Sequence, residues 1–163
     1  MKPSAAASGT LPYVKHYGAY AERVKKFVAA SPGAHIWIVG NEMNWDQEWP
    51  RYEGTTEEIT PERYVQAFRQ VRSGIKSLSG HAADQVIPGA LGTYGPPTAG
   101  GLSFVQYHVR VLELLGQGGL DAIAIHTYTH GPDPALVVDE AHMGPPYEAY
   151  HYNFRAYRDY LNA

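Results

Sequence analysis

The feature that most constrains this chain is an alternation. Amphipathic segments with helical spacing take turns with short apolar runs, in the order α-β-α-β-α-β-α. YGAYAERVKKFVAAS places Tyr17, Tyr20, Val24, Phe27 and Val28 on one helical face, and SPG stops it. HIWIVG follows; apolar, β-branched and aromatic, and bounded by Gly33 and Gly40, it predicts a strand covered on both faces. Residues 46–59, charged and aromatic, predict a long loop. In the next helix Thr60 is the expected N-cap and Pro61 fits the first helical position. Tyr64, Phe68, Val71, Ile75 and Leu78 then recur at helical spacing up to Gly80. QVIPGALG predicts a second strand, with Pro88 confined to its end or to a bulge because proline lacks an amide donor. After the loop GTYGPPTAGG, Phe104, Val105, Val109, Leu112 and Leu115 mark a third helix, broken by GQGG. DAIAIHTY predicts a third strand, PDPALVVDEAHMGPP a long loop, and YEAYHYNFRAYRDYL a last helix that packs Tyr150, Phe154 and Tyr157 on the sheet.

Strands separated by helices of this length are parallel, joined by right-handed crossovers, with helices outside. The expected architecture is therefore α/β: three parallel strands ending near Val39, Leu91 and Ile125. Residues 1–12, rich in small residues, read as a flexible start, and 13–163 as a single α/β domain. Composition agrees with a globular domain, at 44% hydrophobic and 18% charged. A net charge of -3 supplies no clustered positive field for nucleic acid or an anionic membrane, and neither is an expected partner. The absence of cysteine excludes disulfides, thiolate metal sites and a cysteine nucleophile. It leaves the compartment open.

In parallel sheets, binding groups gather beyond the carboxyl ends of the strands. Asn41 and Glu42 follow the first predicted strand, and His126 and Tyr128 the third. The two motifs should therefore face one crevice, with Trp45 and Tyr94 on the loops that rim it. Of 20 aromatic residues, 13 are Tyr and 3 are Trp, rings that suit surfaces half apolar and half wet.

These residues resemble a family. IWIVGNE resembles the fourth strand of the clan A retaining glycoside hydrolases, which ends in Asn-Glu, and IAIHTY resembles the sixth strand of their cellulase-like members, where His-x-Tyr lines the sugar site. The resemblance implies a partial TIM-barrel-like chain, running from about the third helix to the sixth of a (β/α)8 barrel. It implies that Glu42 is the general acid/base, that Asn41, His126 and Tyr128 bind the sugar, and that the nucleophile strand, the seventh, is absent from this chain. Met43 stands where the family often has proline. The implied partner is carbohydrate; no cofactor and no metal are assigned. Open sheet edges would favour self-association.

Retaining hydrolysis needs two carboxyl groups about 5 Å apart. Within the chain, Asp133, Asp139 and Glu140 are the candidates for the second, with Glu140 preferred because it ends the apolar run LVVDE. Two alternatives stand beside the glycosidase reading. One is an α/β domain that binds carbohydrate without catalysis or serves only structure. The other is a metal-dependent hydrolase in which His126, His130 and Glu42 hold Zn2+.

Overall fold

The computed structural model of the protein describes residues 9–93 and 99–163. Among these residues it has a mixed α/β fold with four α-helices and a small parallel sheet, and the sheet is not closed into a barrel. The helices are α1 (Tyr17–Ala29), α2 (Pro61–Lys76), α3 (Phe104–Leu115) and α4 (Tyr157–Leu161). The parallel pair is β1 (Ile36–Val39) with β4 (Gln85–Pro88), in a register that sets Ile36 opposite Gln85 and Val39 opposite Pro88. Between them, where a loop is expected, Arg51–Tyr52 (β2) and Thr55–Thr56 (β3) form a small hairpin. Its two-residue turn is Glu53-Gly54, both at positive φ, the geometry whose twist matches that of paired strands.

Helix α2 is the centre of the core. Its N-cap is as expected: the Thr60 hydroxyl accepts the Arg63 N–H at 3.3 Å, and Pro61 opens the helix. One face buries Tyr64, Phe68, Val71 and Ile75 completely or nearly so, and it packs against α1, α3 and β4. Helix α3 begins with a capping box, in which Ser103 accepts the Gln106 N–H and Gln106 accepts the Ser103 N–H. Burial lowers the pKa of His108 on its buried face. Tyr107 reaches from α3 to donate to the Ile59 carbonyl at 2.9 Å.

The carboxyl ends of β1 and β4 are locked by one side chain. The Tyr64 hydroxyl donates to the Val39 carbonyl and accepts the Gly89 N–H, both at 2.8 Å, while Gly89 N–H also reaches the Val39 carbonyl at 3.0 Å. The approach is so close that a Cβ at position 89 would lie 2.3 Å from the Gly40 carbonyl oxygen. Only glycine fits there.

Two expected elements do not form as read. DAIAIHTY forms no strand and builds no ladder on β4, so the sheet has two parallel strands among the described residues in place of three. In a parallel strand, alternate residues turn both backbone groups to the same edge. On the edge of β4 that faces this segment, the Val86 N–H is taken by the Asp121 carboxylate at 2.9 Å, and Pro88 has no N–H to offer. One backbone bond, Asp121 N–H to the Val86 carbonyl at 3.3 Å, joins the segment to β4 before the pairing stops. The pairing of β4 with β1 runs to Pro88, short of Leu91.

The last helix shrinks to the five residues of α4. Residues 142–151 fold back as a loop closed by an antiparallel bridge between His142 and His151. Asn153 is extended at φ -104, ψ -154, and its buried amide accepts the His130 N–H at 3.0 Å and donates to Asp139 at 2.6 Å. Those long-range bonds interrupt the helix that the aromatic spacing suggests. Tyr150 still packs on Phe104, with ring centroids 4.9 Å apart, but Phe154 is exposed. At the other terminus, residues 1–8 of the expected flexible start lie outside the described residues. Residues 9–12 are packed: Leu11 is buried and the Thr10 N–H donates to the Glu48 carbonyl at 2.8 Å.

Tyr64→Phe removes the hydroxyl that ties both strand ends, and is expected to cost about 1 kcal/mol of stability in urea unfolding. An unchanged midpoint and slope would mean that the bridge contributes nothing net. Asp121 supplies a second test. Burial alone would raise its carboxyl pKa, but Arg72, the Val86 N–H and Lys76 outweigh burial and hold it at about 2, below the ordinary 3.8. A depressed carboxyl stabilises the fold above its unfolded pKa and loses that contribution as pH falls through the folded value. The stability gap between wild type and Asp121→Asn is therefore expected to be full above pH ~4 and to close towards pH ~2.

Candidate functional site

The chain leaves β1 through Gly40, at φ +86, and turns sharply. Glu42 takes φ +45, a left-handed conformation that costs a non-glycine residue about 1–2 kcal/mol. Two backbone bonds hold it: its N–H donates to the Ala90 carbonyl at 2.7 Å, and its carbonyl accepts the Trp45 N–H at 2.8 Å. Beneath the turn, Asn44 is wholly buried and grips the segment that follows β4. Its amide accepts the Gly92 N–H at 2.8 Å and donates to the Gly92 carbonyl at 2.9 Å. Asn44 escaped the sequence analysis, which read only the first amide of NEMN. The signal was a second asparagine two residues past a strand-end glutamate.

The Glu42 carboxylate reaches across 84 positions of chain to His126, with Oε1 2.8 Å from Nδ1. The two side chains are 17% and 24% exposed, so the pair is sheltered yet open to solvent on one side. Tyr128 stands over it, its ring centroid 5.2 Å from that of His126. The Tyr128 hydroxyl pKa is raised, by partial burial first and by the Glu42 charge second. The structure thus brings Glu42, His126 and Tyr128 together beyond the carboxyl end of β1, although the segment that carries the latter two is not a strand.

The other expected site residues differ. Asn41 is exposed, and its N–H donates to the Thr10 hydroxyl at 2.7 Å. Trp45 is not a free platform, because its indole lies against the backbone of Gly92 so closely that a Cβ there would sit 2.5 Å from the ring. Its Nε1 is buried without a partner among the described residues. Tyr94 lies outside the described residues. Among the other loop aromatics, Trp49 donates to the Met43 carbonyl at 3.0 Å and packs on the core, and Tyr52 is exposed on the hairpin.

The three acids expected to supply a second carboxylate each have partners other than Glu42. Asp133 caps a short turn by accepting the Ala135 N–H. Asp139 accepts from the Ala141 N–H and from Asn153. Glu140 pairs with Arg155 at 2.9 Å, with Arg158 at 3.2 Å and with His151 at 3.4 Å. His130, the second histidine of the zinc alternative, gives its backbone N–H to Asn153, and its ring stacks on Tyr152 at 3.8 Å.

Comparison of the chain with protein-family models, with curated proteins and with solved structures finds no match in any of the three. Among the described residues, no helix is long and apolar enough to cross a membrane.

Gly92→Ala tests how firmly the turn is built. The added methyl must displace Trp45, which is expected to cost about 1–3 kcal/mol and to change the tryptophan emission. Unaltered emission and stability would mean that the indole is free to move and that the turn is not seated on Gly92.

Proposed function

We propose that this chain is a glycoside hydrolase-like domain that acts on or binds carbohydrate, with Glu42 as the general acid/base. The observation that carries the reading is the 2.8 Å contact between Glu42 and His126 at the carboxyl end of a parallel strand. That is where catalytic groups collect in α/β sheets. A histidine bonded to a carboxylate through Nδ1 fixes the direction in which the other carboxylate oxygen points. Tyr128, beside them, adds a hydroxyl for a sugar and an aromatic face for its apolar side.

In such a mechanism Glu42 would protonate the leaving oxygen and then deprotonate water, while a second carboxylate attacks the anomeric carbon. Asp133, Asp139 and Glu140 each hold other partners, so none of these three stands ready as that second carboxylate. The partial-barrel reading draws support from β1. Ile36 and Ile38, on the face of the strand turned away from the helices, are 62% and 60% exposed, as expected of side chains that point into a barrel interior whose other strands are not present. The same engagement of the three acids favours carbohydrate binding without turnover as the second reading for the chain by itself.

Aryl glycosides and a panel of oligosaccharides test both. The expected result is little or no turnover by the purified chain, with oligosaccharide-induced amide shifts in NMR spectra centred on Glu42, His126 and Tyr128 and weakened in Glu42→Gln. Robust turnover abolished by Glu42→Gln would show that the chain supplies its own nucleophile. Turnover indifferent to that substitution, or no shift with any sugar, would remove Glu42 from the function.

A further inference from the structure

At the other end of the sheet, where the strands begin, three side chains meet that the Glu42 site does not use. Asp84 immediately precedes β4, and its side chain is 1% exposed. Its Oδ1 accepts from His35 Nδ1, and its Oδ2 accepts from His81 Nδ1 and from Trp37 Nε1, each at 2.7 Å. The backbone fixes all of them. The Gln85 N–H donates to the His35 carbonyl at 2.8 Å, which sets His35 and Asp84 side by side, and the Asp84 N–H donates to the His81 carbonyl at 3.1 Å. The nearest ammonium, Lys76, bonds the Asp84 backbone carbonyl and pairs at 3.2 Å with Asp121. No lysine or arginine side chain among the described residues pairs with the Asp84 carboxylate.

One ligand atom from each of His35, His81 and Asp84 lies within 4.8 Å of the other two. We propose that these three residues bind a divalent transition-metal ion of the zinc class. Two imidazole nitrogens and one carboxylate oxygen are a donor set that suits zinc, whereas calcium and magnesium prefer oxygen alone. On binding, each neutral ring would shift its proton from Nδ1 to Nε2, which frees the Nδ1 lone pair for the ion. Three protein ligands leave a fourth position for water. His35, whose side chain is 58% exposed, provides the solvent side and the entry path. Trp37 is the outer partner, since its indole N–H holds the carboxylate in the orientation that the ion needs. Because the ligands flank the first residues of β1 and β4, an ion bound there ties the amino ends of the two strands together and stabilises the folded chain alone.

The test is titration of the full chain with Co2+, followed by its visible absorption, and with Zn2+ in competition with a chromophoric chelator. The expected result is one ion per chain, a rise in melting temperature with added Zn2+, and affinity lowered at least about tenfold in His35→Ala. His35 is exposed, so that variant should fold, which circular dichroism checks; should it not, His35→Gln takes its place. Asp84→Asn is expected to lose the Co2+ bands as well. His142→Ala, which alters the stacked His142–His151 pair in the carboxyl-terminal loop, is expected to bind as wild type does. Absence of any bound ion overturns the proposal. So does affinity unchanged in the His35 variant, or affinity lost in His142→Ala instead.

Discussion

A single phenol ties the carboxyl ends of the two parallel strands to the core. Tyr64 projects from the middle of the core and bonds both strand ends at once, to the Val39 carbonyl and the Gly89 N–H. A two-stranded sheet is marginal by itself, and a buried hydroxyl with no partner would cost more than it contributes. Here each need answers the other. Helix α2 satisfies the polar atom that it buries by clamping the strands where they must part, and the clamp sets where the chain turns into Gly40, Asn41 and Glu42.

What the sequence made legible was the part of the fold that follows from local chemistry. Thr60 and Pro61 announce the start of α2, and its apolar spacing announces the face that is buried, because caps and periodicity act within a few residues. The third strand and the last helix failed for the opposite reason. DAIAI has the composition of a strand, but pairing needs donors on a partner, and those were removed by a proline at 88 and by a carboxylate at 121 that substitutes for a strand carbonyl. The aromatic series from Tyr147 to Tyr160 has helical spacing, but Asn153 commits its amide to residues 130 and 139. No local pattern carries that information.

The site was legible for a similar mixture of reasons. Glu42 and His126 meet as the strand-end argument expects, although the segment that carries His126 forms no strand. Trp45 was harder to read, since a tryptophan after a turn looks like a platform until the glycine that receives it, Gly92, is found 47 positions later. The cluster at His35, His81 and Asp84 went unread because attention to parallel sheets falls on the carboxyl ends of strands. These residues stand at the amino ends, where a histidine and an aspartate each precede an apolar run without any motif between them.

The left-handed backbone at Glu42 sets local conformation against side-chain identity. At φ +45 glycine or asparagine would sit with less strain, and a β-branched residue would scarcely be accommodated. Glycine or asparagine there changes two quantities of opposite sign, relieving the backbone while removing the carboxylate's contact with His126. Under the proposed function, position 42 is thus a place where a variant can become more robust as a folded chain and poorer as a site in the same step, so melting temperature and ligand response need not rank its variants in the same order.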